Sequence, residues 1–340
     1  MQQIKLYIVQ TGREGQLLCL FFYYKYVSMF RKSIFTLLMV GGWALGAWAQ
    51  HQEVGLGFGT TTFMGDLGKH DSKTSTYFGN VGAGITRPAA TIWYRNTFNP
   101  WVAIKGSMTF SQIKGDDRLA ESTDRTSGDW YRSYRNLRFQ SVLIEAMVQG
   151  EVHVLRYLPG SLTHRWTPYV STGIGMVYFD PKTDYNGQLV RLQPLGTEGQ
   201  GLAQYPDRQK YSLVQAVIPI AMGLKVNINQ RITISGEIGH RVTFTDYMDD
   251  VSTTYVSQER FEEAYGAAQG QMIYELSHRS GELDPDGAYG AITKPGQYRG
   301  NPKGKDSYLC GLISVSFRFG KTNPESAFRP RLKKGNPVVE

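Results

Sequence analysis

The chain has 340 residues, of which 41% are hydrophobic, 13% aromatic and 19% charged, with 38 Gly, 21 Tyr and a formal net charge of +8. That apolar and aromatic content excludes a disordered chain. A mean hydropathy of −0.34, with no bilayer-length apolar run beyond residue 50, excludes a polytopic helical membrane protein. Two cysteines, Cys19 and Cys310, cannot make a disulfide scaffold. Low charge with abundant Gly and aromatics predicts many strands in a sandwich or a barrel.

Residues 29–49 read as a secretory signal peptide. Arg31 and Lys32 form the basic start, an apolar stretch runs from Ile34 to Trp48, and Ala47-Trp48-Ala49 supplies a small-x-small cleavage site. Residues 1–28 precede the better start at Met29 and read as a mis-assigned extension; a longer signal region is the alternative. Cleavage after Ala49 removes Lys5, Arg13, Lys25, Arg31 and Lys32 against Glu14, which leaves a mature net charge of about +4. An exported chain of modest charge, without a basic stripe interleaved with aromatics, is not expected to bind nucleic acid.

From Glu53 the chain repeats strand-like alternation followed by a turn or loop. The segments fall at 53–64, 89–97, 101–112, 140–154, 169–179, 212–228, 231–244 and 308–319. In 231–244 the even set is Ile232, Ile234, Gly236, Ile238, His240, Val242 and Phe244, against Arg231, Thr233, Glu237 and Arg241 among the odd positions. The last segment flips parity, with Leu309, Ile313, Val315, Phe317 and Phe319 against Ser314, Ser316 and Arg318. Several segments reach 12 residues. That exceeds the roughly 5–6 of a sandwich strand and suits the roughly 9–11 needed to cross a bilayer obliquely.

Connection lengths alternate. Phe98–Pro100, Tyr157–Thr167 and Asn229–Gln230 are short, whereas Gly65–Pro88, Gly115–Leu137, Asp180–Lys210 and Thr245–Asp306 are long. Short periplasmic turns against long extracellular loops is the outer-membrane pattern. The expectation is an all-β, eight-stranded antiparallel transmembrane β-barrel, OmpA-like, spanning 50–320. Phe317 and Phe319 suit the interfacial girdle at a strand end.

Eight strands enclose an interior that side chains fill. The inward set predicts a lumen charge network of Arg95, Lys105, Glu145, Glu151, Lys225, Arg231, Glu237 and Arg241, with His153 beside it. Both signs are present, so paired charges closing the lumen are expected, in place of an open pore. Pro219 falls on the inward parity and should mark a bulge or a local break in the ladder.

Candidate chemistry in the loops is thin. Asp246, Asp249 and Asp250 could together hold a hard cation such as Ca²⁺. They lack EF-hand spacing, and solvated loop acidity or internal capping is the favoured reading of them; Asp116-Asp117 is a weaker pair. His51, His70, His153, His164, His240 and His278 are scattered, with no HExxH and no GxSxG. Asp249, Asp250 and His278 could be forced into a hydrolytic site, but no spacing demands it. No cofactor, no resident metal and no enzyme activity is expected. The run Gly55-Leu56-Gly57-Phe58-Gly59 lacks the spacing and the helix of a dinucleotide loop. Residues 321–340 form a basic periplasmic tail, in which Arg329, Arg331, Lys333 and Lys334 are partner-binding candidates against the plainer reading of a loose end.

Several strings carry a family resemblance: Met64-Gly65-Asp66-Leu67, Arg135-Asn136-Leu137-Arg138-Phe139, Thr167-Pro168-Tyr169 with Gly173-Ile174-Gly175, Thr197-Glu198-Gly199-Gln200-Gly201, and Thr245-Asp246-Tyr247-Met248-Asp249-Asp250-Val251-Ser252. Together they resemble the PorG-type, DUF6089-like outer-membrane barrel of the type IX secretion system. The most specific residues are Thr197, Glu198, Gly199, Gln200, Asp246, Tyr247, Asp249 and Asp250. The resemblance implies a non-enzymatic barrel in the outer membrane of a Gram-negative bacterium. It implies partnership with a periplasmic ring of PorK- and PorN-type subunits, a lipoprotein and its partner, and a part in export of sorting-domain cargo and in gliding motility. It supplies no catalytic residues. A small outer-membrane channel or transporter is the alternative, and an outer-membrane enzyme a more distant one.

Overall fold

The computed structural model describes residues 51–68, 84–120, 122–284, 286 and 292–319. The proposed extension, signal peptide and basic tail, including Arg329, Arg331, Lys333 and Lys334, lie outside the described residues.

Nine strands form one sheet: β1 (His51–Met64), β2 (Arg87–Asn99), β3 (Val102–Asp116), β4 (Arg138–His153), β5 (Trp166–Tyr185), β6 (Gln188–Arg191), β7 (Val214–Asn227), β8 (Ile232–Thr243) and β9 (Ser307–Phe319). Every pairing is antiparallel, and β1 bonds to β9 as well as to β2, so eight strands close on themselves. Closure removes the unpaired edges that an open sheet exposes. The fold is a closed, eight-stranded antiparallel β-barrel. The ninth strand, β6, only extends β5 beyond the barrel rim, from Tyr185↔Gln188 to Lys182↔Arg191. Its turn is Asn186-Gly187, with φ of 51° and 79°, the left-handed pair that a tight hairpin requires.

The expected alternation is present in the burial. Along β8 the even residues are exposed up to Ile238, and Thr233, Ser235, Glu237, Gly239 and Arg241 are buried. Phe58, Ile174, Met222 and Ile313 are each at least two-thirds exposed on the outer face. A continuous apolar exterior of this kind suits hydrocarbon. Trp101, Trp166 and Phe319 are exposed at the short-turn end, where amphipathic rings favour a membrane interface.

Pro219 breaks one ladder without bulging. The β5–β7 pairing lapses between Thr172↔Ile220 and Gly175↔Val217 and resumes in the same register, while Pro219 still faces Arg241 on β8. A missing N–H thus costs the bonds on one side only. The bulge lies elsewhere, between Thr97 and Asn99.

The long connections are ordered where described. They hold three helices, α1 (Gly128–Arg135), α2 (Gln258–Tyr265) and α3 (Ala267–Ser277). An apolar cluster that includes Phe63, Leu67, Ile113, Phe139, Phe179, Met248, Val251 and Tyr308 closes the barrel beneath this outer cap. A second cluster of Leu202, Val256, Phe261 and Ile273 packs the helices.

Candidate functional site

The barrel interior brings four cations and four carboxylates together. Arg95 donates to Glu151 at 3.1 Å and to Glu53 at 3.4 Å. The Lys225 ammonium lies 2.6 Å from Glu151 and 3.1 Å from the His153 ring. Lys105 pairs with Glu237 at 2.6 Å, and Glu237 also accepts from the Tyr169 hydroxyl at 2.8 Å. Higher in the barrel, Glu145 takes Arg241 at 3.4 Å and the Tyr308 hydroxyl at 2.8 Å. Strands β1, β2, β3, β4, β7 and β8 supply the charged groups, so the network ties the wall across its diameter. Buried ions are tolerable only when paired in this way. The space left among them, bounded by Trp93, Arg95, Lys105, Tyr169, Glu237 and Arg241, is a cavity of about 10 Å³, room for about one water.

One expected member is displaced. Arg231 stands exposed in the β7–β8 turn, outside the lumen network. Asn229 Oδ1 accepts from the backbone N–H of Arg231 and of Ile232, each at 2.8 Å. The strand β8 therefore begins at Ile232, one residue later than the sequence pattern suggests. Three members were missed, Glu53, Tyr169 and Tyr308. All lie on the inward parity of their strands, which was the available signal.

The β4–β5 connection, residues 154–165, folds across the short-turn end. Asn227 donates to the carbonyls of Leu158 and Ser161 at 2.9 and 3.0 Å and accepts from Tyr157 at 2.6 Å. Arg318 reaches the Gln230 carbonyl at 2.9 Å. The barrel is therefore closed at this end by a stapled loop and at the other by the apolar plug.

The outer cap is organised by Glu198. Its buried carboxylate accepts from the N–H of Ser252 at 2.9 Å and Thr253 at 2.8 Å, from the Thr253 hydroxyl at 2.7 Å, and from Arg299 at 3.0 Å. Gly199 and Gly201 take φ of 82° and 86°. Only glycine adopts these values without strain, so the Thr197–Gly201 string is a tight turn that presents Glu198. Gln200 Oε1 accepts from the Glu198 N–H at 2.9 Å. The other motif string answers it: Asp250 accepts from the Thr197 hydroxyl and, at 2.7 Å, from Tyr211. Tyr247 donates to Glu198 at 3.2 Å.

A second anchor joins three connections. Arg135, at the end of α1, donates to both oxygens of Asp117 at 2.7 and 3.0 Å and to the carbonyls of Arg299 and Asp66 at 2.6 and 2.8 Å. Asp117 also accepts from Leu137 N–H at 3.1 Å. The weaker acidic pair is thus an internal cap with a dedicated guanidinium partner. Arg135 opens one of the motif strings, but nothing in the sequence pattern paired it with Asp117 or marked Arg299.

The Ca²⁺ candidates diverge. Asp250 takes a left-handed φ of 66°, which turns successive carboxylates apart. Asp246 accepts from the Ser252 hydroxyl at 2.6 Å, Asp249 caps Val251 N–H at 3.0 Å and Leu67 N–H at 3.2 Å, and Asp250 faces Thr197 and Tyr211. Among the described residues no group of three carboxylates, histidines or cysteines is placed to hold a metal ion. Burial raises the pKa of Asp246 and of Asp250 to about 6. Burial raises Asp249 and Asp306 well above the usual carboxylate range, with added repulsion from Asp306 and Asp66 on the former and from Asp246 and Asp66 on the latter. His278, forced by burial and by Arg299 down to about 3, is held neutral. Its ring packs on Tyr255 and Tyr274 at 4.5 and 4.2 Å, and its Nδ1 meets the Ser277 hydroxyl at 2.8 Å.

Residues 31–266 match the family described as "Domain of unknown function (DUF6089)". The chain belongs to the DUF6089 family. The match covers both motif strings of the cap and all strands but the last. No curated protein matches the chain. Solved structures similar to it include the following three. Ail, the attachment invasion locus protein of Yersinia pestis in complex with the heparin analogue sucrose octasulfate, shares 9% identity, covering 79% of this chain and 98% of that one with a TM-score of 0.34. Neisserial surface protein A shares 8%, covering 79% and 97%, with a TM-score of 0.33. OprG from Pseudomonas aeruginosa shares 8%, covering 80% and 98%, with a TM-score of 0.34. Likeness this distant carries no argument, and the DUF6089 barrel rests on its own strand pairing.

Proposed function

We propose that this DUF6089 chain is a non-enzymatic outer-membrane component of the type IX secretion system, which tethers the periplasmic ring to the outer membrane. The observation that carries the reading is the mutual locking of its two most specific motif strings. Thr197–Gly201 and Thr245–Ser252 build one buried, hydrogen-bonded cap around Glu198 and Asp250. Their residues hold architecture together. The apolar exterior suits a bilayer. On this reading the short turns face the periplasm and the capped loops face outward.

A filled lumen fits a scaffold better than a channel, because the cavity among the paired charges holds only about 10 Å³. Ring partners of the PorK and PorN type would meet the periplasmic turns or the basic tail. No cofactor is assigned to the barrel. The test is deletion of the gene in its own bacterium, followed by measurement of sorting-domain cargo in the medium and on the cell surface. Loss of that cargo, restored by the intact chain, is expected. Unimpaired export would overturn the proposal.

A further inference from the structure

The outer wall carries an apolar groove of about 800 Å³. Two cross-strand rows frame it. One runs Pro168, Leu224, Gly236, Ile313, Phe58, and the other Val170, Met222, Ile238, Gly311, Thr60. Phe58, Met222 and Ile313 are at least two-thirds exposed and form walls. Gly236 and Gly311 form the floor, and a Cβ at either would meet no atom within 4 Å.

The groove's lower end has an unusual electrostatic setting. It reaches Val154 and Pro168, whose backbones bond at 2.9 Å where β4 and β5 leave the barrel. Arg156 lies two residues beyond Val154, and Arg165 three residues before Pro168. Both are exposed, and neither guanidinium pairs with any described residue. Arg231 stands exposed in the neighbouring β7–β8 turn. The three short turns, 100–101, 154–165 and 228–231, contain no carboxylate. Trp166, half exposed beside Arg165, sets this level at the membrane interface. A cationic mouth on an apolar channel at that depth matches an anionic head group with its acyl chain.

We propose that this groove is a binding site for an anionic glycerophospholipid of the periplasmic leaflet. Arg156 and Arg165 would hold its phosphate, and one acyl chain would lie over Gly236 and Gly311. The inference rests on the outer-membrane reading, and the experiment separates the two. The full chain is inserted into vesicles of equal parts phosphatidylglycerol and phosphatidylcholine with matched acyl chains. It is then extracted in detergent, and retained lipid is counted by native mass spectrometry. Failure to insert would sink the membrane reading itself.

For the inserted protein, phosphatidylglycerol should be retained about tenfold over phosphatidylcholine, on the scale that two arginines near anionic lipid supply. Arg156→Ala with Arg165→Ala should abolish that preference, and the paired lysine variant should restore most of it. Gly236→Leu with Gly311→Leu fills the floor without touching the barrel interior. It should lower retention of both lipids while a residual head-group preference persists. Equal retention of the two lipids by the wild type, or an unchanged preference in the alanine pair, would overturn the site. Arginine-dependent crosslinking to a periplasmic protein without lipid preference would also overturn it and assign these arginines to a protein partner.

Discussion

Glu198 and Arg299 meet at 3.0 Å inside the outer cap, although 101 residues separate them. Each is almost wholly buried. The pair joins the β6–β7 connection to the end of the β8–β9 connection, and Arg299 continues to the carbonyl of Asp250 at 2.5 Å. Removing one partner leaves the other charged and desolvated. Glu198→Gln or Arg299→Leu should destabilise the cap by about 3–5 kcal/mol. Limited proteolysis should then cut within 244–306 while the barrel strands stay protected. Unchanged protease resistance in both variants would contradict this role.

The cap should tighten as pH falls from 7 to 5. Asp246 and Asp250 have folded pKa values raised to about 6, so their folded forms take up protons before the unfolded ones do. A raised carboxylate favours folding below its unfolded pKa and loses that contribution as pH rises through 6. His278 opposes them, because its value of about 3 makes the folded state resist the proton that the unfolded chain accepts near 6.5. Asp249 and Asp306, also raised by burial, act in the same sense as Asp246 and Asp250, so a net gain remains at pH 5. Protease half-life measured against pH should lengthen on acidification, and Asp246→Asn with Asp250→Asn should flatten or reverse the trend.

Inside the barrel Glu151 receives Arg95 at 3.1 Å and Lys225 at 2.6 Å. Glu151→Gln leaves two buried cations short of an anion. It should cost about 3–5 kcal/mol in a urea folding titration. A Glu151→Gln, Lys225→Met double variant should recover part of that loss, since it removes one stranded charge. The wild type should give no stable single-channel conductance in a planar bilayer. A sustained conductance would contradict the sealed interior.

Neighbouring residues on β8 should respond to arginine for different reasons. Ile234 is 41% exposed and Thr233 only 2%. Ile234→Arg places a charge on the hydrocarbon face and should cost roughly 2–4 kcal/mol in lipid vesicles. Thr233→Arg instead overpacks a lumen where the Thr233 hydroxyl donates to Asn227 at 2.9 Å. Its penalty should persist in detergent micelles of any chain length. Two silent substitutions would reverse the assignment of faces.

The barrel was legible because strand alternation has a period of two and one face must be apolar. Glu237 and Arg241 fall inward for that reason alone. Arg231 misled because Asn229 caps the turn before β8 begins, and parity cannot see a turn's hydrogen bonds. The β5–β6 hairpin carried a local signal, Asn186-Gly187, that lay unread within a long loop. The cap is a different case. Glu198 and Asp250 stood out as motif residues, and Arg135 opened a motif string that named no partner for it, but Arg299 did not stand out, because its partner Glu198 lies 101 residues off in sequence. The acidic string suggested a cation, and the left-handed Asp250 directs its carboxylates to hydroxyls and backbone N–H groups instead.

The most direct test of the scaffold account is a crosslinked pull-down of the tagged protein from detergent-solubilised outer membranes, read by mass spectrometry. The account predicts enrichment of a periplasmic ring lipoprotein together with its partner subunit, with crosslinks from the short turns or the basic tail. Recovery of the barrel alone, while a known outer-membrane neighbour crosslinks efficiently in the same sample, would contradict it.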